Sequence, residues 1–237
     1  MPVLYIVATP IGNLEDISLR ALRVLKEVHL IAAEDTRTAR KLLNRYDIKT
    51  RLTSYFEHNK KTKLQFLLDT LETDDIALIS EAGTPGISDP GYELIKEAIA
   101  KNIEVVAVPG SSAVITAVAV SGLPTDQFVY VGFLPRKKSE RKLLLRSLVT
   151  EPRTIVCFES PYRVLQSLNE MQDIFGERKI AVCRELTKMH EEVFRDTIGH
   201  AVEHFKRPRG EFTLVIEGTG SIKKSLRRAT KKTISGD

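Results

Sequence analysis

The sequence predicts an α/β protein of two domains, the first built on a mainly parallel sheet and the second on a mixed one. Three observations predict it. Short apolar runs of strand length alternate with segments of helical period through the first half, which is the pattern of βαβ units. The loops after those runs are rich in Gly and Pro, and ligand loops of open α/β sheets lie at the carboxyl ends of strands. Past residue 122 the texture changes and the alternation becomes less regular. A boundary is therefore expected in the region 122 to 128, with domains over 1–122 and 123–220 and a basic tail over 221–237.

The elements follow in order. Residues 3–8 form a first strand that ends in Thr9-Pro10-Ile11-Gly12-Asn13, after which Asp16 or Ser18 caps a helix to about Lys26. Residues 30–33 read as a second strand, and Asp35 or Thr36 caps a helix through Leu43. A short strand over 52–55 precedes a helix over 59–71, where Leu64, Leu67, Leu68 and Leu71 recur at helical spacing. The run Ile76-Ala77-Leu78-Ile79 is a buried strand. Then comes a long turn over 80–91, Ser-Glu-Ala-Gly-Thr-Pro-Gly-Ile-Ser-Asp-Pro-Gly, and a helix over 92–100. Three glycines and two prolines exceed what a simple reversal needs, and they mark a stiff loop with approachable backbone, a ligand loop. A strand over 104–108 leads through Pro109-Gly110-Ser111-Ser112-Ala113 into an apolar helix to about Ser121. The second half holds a strand over 128–133, helices over 139–148 and 161–175, and strands over 153–158 and 179–183. A segment over 191–195, a helix over 197–205 and a last strand over 212–216 complete it.

With 237 residues, 42% of them hydrophobic, the chain can bury a sizeable core. It has no apolar run of membrane-span length, and it opens directly into a strand with no basic leader, so a cytoplasmic protein with no membrane partner is expected. Cys157 and Cys183, the two cysteines, sit in strand-like apolar runs and read as reduced core residues. The net charge of +5 lies in the tail, which carries six Lys/Arg and one Asp from Ser221 onward. Lys223, Lys224, Arg227 and Arg228 belong to pairs that recur every four residues; in a helix they make one cationic stripe suited to a phosphate backbone, and a solvated tail is the alternative. A second basic cluster, Arg136, Lys137, Lys138, Arg141, Lys142 and Arg146, is interleaved with Leu143, Leu144, Leu145 and Leu148. It reads as a helix with one buried side and one cationic side, an RNA-binding surface or a solvated helix face.

Three Gly/Pro loops, at Pro10-Ile11-Gly12, at 80–91 and at 109–112, leave the same edge of a parallel sheet and can converge. Neither G-x-G-x-x-G nor G-x-x-x-x-G-K-[ST] occurs, which argues for a ligand held by backbone groups rather than a standard dinucleotide or P-loop site. Acidic residues stand at strand ends, namely Glu34, Asp35, Glu81, Asp89 and Glu185. Each is a candidate to orient a hydroxyl or take a proton, with helix capping as the alternative for Asp35 and Asp89. His200 and His204 are four apart, but no H-E-x-x-H or neighbouring Cys accompanies them, so no metal is expected. No G-x-S-x-G elbow supports Ser-based hydrolysis.

Seven segments taken together resemble a known family: 7–16, 33–37, 80–91, 108–113, Glu159-Ser160-Pro161, Arg184-Glu185-Leu186-Thr187-Lys188 and Gly210-Glu211-Phe212. In that order, over roughly residues 3 to 218, they resemble the tetrapyrrole-methylase superfamily of S-adenosylmethionine-dependent methyltransferases. Within it they are similar to the branch that 2′-O-methylates a cytidine of small-subunit (16S) ribosomal RNA. The resemblance implies two α/β domains with the methyl donor in a cleft between them, a homodimer, and small-subunit ribosomal RNA or the small subunit as partner. It implies donor contacts from the first domain at Pro10, Gly83, Thr84, Pro85, Gly86, Ile87, Ser88, Ser112 and Ala113. From the second it implies contacts at Phe158, Arg184, Glu185, Glu211 and Phe212. Members of the branch usually continue into a small helical extension where this sequence has its basic tail.

For methyl transfer to a ribose hydroxyl, the candidate bases are Glu81, Asp35 and Glu185, in that order, because strand-end loops carry them. The candidate RNA contacts are Arg37, Arg136, Lys137, Lys138 and Arg141, with Lys223, Lys224, Arg227 and Arg228 in the tail. Three other readings stand beside this one: a tetrapyrrole C-methyltransferase, a methylase of a protein target, and a non-catalytic RNA-binding module.

Overall fold

A computed structural model describes residues 1–220. It divides into two compact units, the first ending at Ser112 and the second beginning at Ala113.

The first unit alternates strand and helix throughout: β1 (Val3–Val7), α1 (Leu19–Glu27), β2 (Leu30–Ala33), α2 (Thr36–Arg45), β3 (Arg51–Ser54), α3 (Lys60–Thr70), β4 (Ile76–Ile79), α4 (Tyr92–Ala100) and β5 (Glu104–Val108). Its five strands are all parallel, in the order β3-β2-β4-β1-β5. Every residue of β2 and β4 is buried, as expected for short continuous apolar runs inside a parallel sheet. Alternation of side chains splits the core in two. Ile31, Ala33, Ala77 and Ile79 face α1 and α2, and Leu30, Ala32, Ile76 and Leu78 face α3 and α4. The helices start where capping chemistry places them. Ser18 accepts from the Ala21 N–H and Asp35 from the Arg37 N–H, each satisfying a donor that the first turn leaves open.

The second unit comprises α5 (Ala113–Ser121), β6 (Phe128–Phe133), α6 (Lys138–Ser147), β7 (Thr154–Glu159), α7 (Val164–Phe175), β8 (Lys179–Arg184), β9 (Glu192–Thr197), α8 (Ile198–His204) and β10 (Phe212–Ile216). Its sheet is mixed, in the order β6-β7-β10-β8-β9; only β6 and β7 are parallel neighbours. One face of the sheet packs on α6, α7 and α8 through Ile155, Ile180, Val182 and Leu214. The alternate residues Val156, Ala181 and Val215 are equally buried, on the side where α5 crosses β7, β8, β9 and β10. That packing is why the division falls after Ser112 rather than in the expected region 122 to 128. α5 is apolar along its whole length and belongs to the second sheet. Cys157 and Cys183 are free and buried.

Candidate active site

In the first sheet β1 and β4 are neighbours, yet the chain leaves them in opposite directions, β1 toward β2 and β4 toward β5. Such a reversal opens a crevice at the carboxyl ends of the two strands. The loops there are bonded to one another. The Thr9 N–H donates to the Gly83 carbonyl (2.8 Å) and the Gly83 N–H to the Thr9 carbonyl (3.1 Å). The Ser80 hydroxyl donates to the carbonyls of Ala82 (3.2 Å) and Gly83 (3.4 Å). The third loop joins in, because the Ser111 hydroxyl donates to the Asp16 carbonyl (3.3 Å) and Gly110 lies against Ala8 so closely that a Cβ there would stand 3.0 Å from the Ala8 Cβ. Gly91, with φ at 149°, closes the long loop where a Cβ would stand 3.1 Å from the Gly86 nitrogen. The three Gly/Pro loops thus converge within this unit.

The expected donor positions on these loops are not equally accessible. Pro10, Gly83 and Pro85 are buried in the frame, Thr84, Gly86, Ser112 and Ala113 are half-buried, and Ile87 and Ser88 are exposed. Around them stand four carboxylates. Glu34 accepts from the Glu81 N–H (3.2 Å), and burial, with Glu81 and Asp35 close by, pushes its carboxyl above the usual range against that bond. Asp89 does not cap α4, whose N-cap is Gly91. Burial first, then the negative charges of Glu34 and Glu81, push Asp89 up to about 7, with a hydrogen bond to Ser80 opposing them. The Glu81 carboxylate is exposed and accepts from the Thr38 hydroxyl (3.4 Å). Asp35 is different: hydrogen bonds from the Arg37 side chain and N–H hold it down at about 2. It caps α2 and pairs with Arg37, whose side chain is otherwise exposed.

The second-unit positions gather at one end of the mixed sheet, where Phe212 is registered against both Glu159 and Arg184. Phe158 is half-buried, with Tyr130 and the exposed Phe133 each 5.3 Å from its ring. Phe212 is 2% exposed and packs its ring on Phe205, so its side chain belongs to the core. Arg184 pairs with Glu192 (3.0 Å). Glu185 exchanges bonds with Glu211, donating its N–H to the Glu211 carbonyl (3.0 Å) and accepting the Glu211 N–H on its carboxylate (2.9 Å). Lys188 lies 2.9 Å from both the Glu185 and Glu211 carboxylates. Burial works to raise the Glu185 carboxyl, but the Glu211 N–H and Lys188 outweigh it and hold it below the usual range.

Of the expected RNA contacts, Arg136, Lys137 and Lys138 are exposed, with Lys137 paired to Glu140 (3.1 Å). Arg141 is a correction. It is 1% exposed, its fork grips Glu170 through Nε (2.7 Å) and Nη2 (2.9 Å), and its Nη1 donates to the carbonyls of Pro135 and Arg136. It is an internal strut holding the β6–α6 turn to α7: four of its five N–H donors are taken inside the protein, and its burial keeps the guanidinium away from a phosphate. Lys223, Lys224, Arg227 and Arg228 lie outside the described residues. Sequence reasoning gave no role to a second buried acid, Glu159, which pairs with Arg163 (2.7 Å) and accepts from the Ser167 hydroxyl (2.6 Å). An acid at a strand end followed by Arg four residues on was the available signal. Among the described residues no group of His, Cys, Asp and Glu could hold a metal ion, and no helix is long and apolar enough to cross a membrane.

The fold defines the class. The structure is similar to solved methyltransferases, with a TM-score of 0.68 and 16% identity to cobalt precorrin-4 methyltransferase (91% of this chain, 94% of that one). The values are 0.66 and 17% for the uroporphyrin-III C-methyltransferase of Thermus thermophilus (95% and 99%). Diphthine synthase gives 0.74 and 14% over 95% of each chain. The family model described as Tetrapyrrole (Corrin/Porphyrin) Methylases matches residues 3–202. Sequence relatives narrow the class. The chain is 51% identical over 221 residues to the ribosomal RNA small subunit methyltransferase I of Thermotoga maritima, covering 92% of this chain and 99% of that protein. It is also 51% identical to the protein of the same name from Halalkalibacterium halodurans, over 92% of this chain and 76% of that one. The chain belongs to the tetrapyrrole methylase family of S-adenosylmethionine-dependent methyltransferases and, within it, groups with the small-subunit ribosomal RNA methyltransferases I.

Proposed function

We propose that the chain transfers a methyl group from S-adenosylmethionine to the ribose 2′-hydroxyl of a cytidine in small-subunit ribosomal RNA, acting in the cytoplasm as a homodimer. The observation that carries this reading is the 51% identity with ribosomal RNA small subunit methyltransferases I across nearly the whole described chain. The first-unit site fits the donor chemically. Thr84, Ile87 and Ser88 stand accessible on a loop whose frame is already internally bonded, and the exposed Glu81 carboxylate offers a negative charge that suits a sulfonium cation, with Glu34 and Asp89 beside it holding their protons to higher pH than usual. When bound, the donor supplies an electrophilic methyl group.

The chain's own part is positioning and proton transfer. A loop braced by its own hydrogen bonds helps to hold reactants in line, and such positioning contributes several kcal/mol to a displacement of this kind. A ribose hydroxyl is a poor nucleophile while protonated, so a carboxylate that accepts its proton accelerates the step. We assign that role to Glu81, which is exposed, accepts from the Thr38 hydroxyl and has no guanidinium hydrogen-bonded to it, Arg37 being bonded to Asp35 instead. Asp35 and Glu185 are weaker bases, because Arg37 and Lys188 respectively stabilise their ionised forms. The test supplies radiolabelled S-adenosylmethionine and small ribosomal subunits lacking the modification, followed by mapping of the label. Label on a ribose 2′-oxygen is the expected result, and label on protein, on a base or nowhere would overturn the assignment.

A further inference from the structure

Between α6 and α7 the second unit carries an open groove of about 520 Å³. One wall presents Lys138 and Lys142, one turn apart on α6, and the other presents Gln166 and Asn169 of α7. Tyr162 stands at the mouth, 96% exposed. Two features set the groove apart from an ordinary solvated helix pair. Glu170 is buried and gripped by Arg141; Lys138 and Lys142 act on it through charge, but among the described residues neither makes an ion pair. An aromatic ring left almost wholly in water gains nothing from folding, but it provides a face on which a planar group can stack. Asp173 is the one acid of the lining not engaged by Arg141.

We propose that this groove binds a single-stranded segment of the RNA substrate, with Lys138 and Lys142 on its phosphates and Tyr162 stacked on a base. The inference rests on the function proposed above. Charge complementarity selects the partner. Lys138 is exposed and Lys142 half-buried; Arg136 and Arg146 are exposed on the same helix and the turn before it, and among the described residues Lys137 is the exposed cation there that pairs with an acid, Glu140. Cations interleaved with an exposed aromatic are the surface that holds unpaired nucleotides, because every base has a face to stack and every linkage a charge to neutralise. A duplex would use the lysines but leave the ring idle.

The test measures binding of a fluorescent single-stranded oligonucleotide from small-subunit ribosomal RNA by anisotropy across a salt series. Wild type is compared with Tyr162→Ala, Tyr162→Phe, Lys138→Ala/Lys142→Ala, and a charge-matched control, Lys96→Ala/Lys101→Ala. Tyr162→Ala is expected to weaken binding by between about 5- and 100-fold at every salt concentration, and Tyr162→Phe to restore it. The double lysine variant is expected to lower the slope of log affinity against log salt by about 1.4, the contribution of two phosphates on a single strand. Donor affinity, measured by calorimetry, stays unchanged in all. Equal RNA affinity in wild type, Tyr162→Ala and the lysine variant would overturn the groove while leaving the proposed function intact. Loss of self-association with RNA affinity retained would assign the face to a second copy of the chain and also overturn it. RNA binding lost in the variants, in a wild-type protein that transfers no methyl group to RNA, would uphold the groove and sink the proposed reaction. A wild type that binds no RNA would sink both.

Discussion

Arg141 and Glu170 form a buried pair whose energetics can be worked out from the structure. Removing the arginine alone, as Arg141→Met, leaves the Glu170 carboxylate at 4% exposure with only the Gln166 amide and the charges of Lys138 and Lys142 to offset it, and the Pro135 and Arg136 carbonyls without a donor. Breaking a buried pair on one side costs about 3–5 kcal/mol. Glu170→Leu strands the guanidinium and costs a similar amount. In the double variant no charge is left behind; only the two carbonyl bonds are missing, at about 1 kcal/mol each, so a loss of about 2 kcal/mol is expected. The coupling between the two sites is then at least about 4 kcal/mol, above the roughly 0.5–3 kcal/mol that neighbouring residues usually show. Urea unfolding followed by far-ultraviolet circular dichroism measures all four species. Additive losses, with the double variant as unstable as the two singles combined, would refute the account of Arg141 as an internal strut and return it to the list of surface cations.

Three further outcomes are expected. Glu81→Gln lowers methyl transfer by about 10²- to 10⁴-fold with donor affinity unchanged by calorimetry; equal turnover removes Glu81 as the proton acceptor. Asp89 holds its proton up to about 7 in the folded chain against an ordinary 3.8, so the folded state binds that proton more tightly. Its contribution is favourable at acid pH and is lost as pH rises from 3.8 through 7. That difference is worth roughly 4 kcal/mol at full weight and about 1–2 kcal/mol for a half-buried group screened by water. Asp89→Asn should therefore match wild type in urea at pH 4 and exceed it at pH 8, and parallel pH profiles would contradict the assignment. Gly210 has φ at 86°, and a Cβ there would overlap the Glu185 side chain, 2.6 Å from its carboxyl carbon. Gly210→Ala is expected to cost about 2 kcal/mol or more and to lower the thermal midpoint; an unchanged midpoint would show that Glu185 moves aside freely.

Much of the fold was legible in the sequence because its signals are local. Leu30 to Ala33 and Ile76 to Ile79 are four-residue apolar runs flanked by polar residues, too short for helices, and both are fully buried strands. What was not legible depends on contacts between distant residues. α5 reads as a continuation of the first half, yet a helix apolar on every side carries no indication of which sheet it will cover. Arg141 sits among five other cations and looks like one of them, because its partner is 29 residues away. The strand-end acids look equivalent in sequence. Burial separates Asp89 from the rest, and a neighbouring cation separates Asp35 and Glu185. The convergence of the Gly/Pro loops was legible because parallel strands put every following loop on one edge.

The order of strands within each sheet bears on how the chain emerges from synthesis. β1 is made first, but its two neighbours are β4 and β5, so it has no partner until the fourth strand has been made. In the second sheet the situation is reversed in time: β10 is made last and lies in the middle, between β7 and β8. Until it arrives, β6 and β7 form one ribbon and β8 and β9 another, each with an open edge where β10 will lie. Neither half of the protein can therefore fold strand by strand as it leaves the ribosome. A nascent chain arrested a few residues short of Phe212 presents two sticky ribbons rather than a nearly finished domain, a natural target for chaperones and proteases.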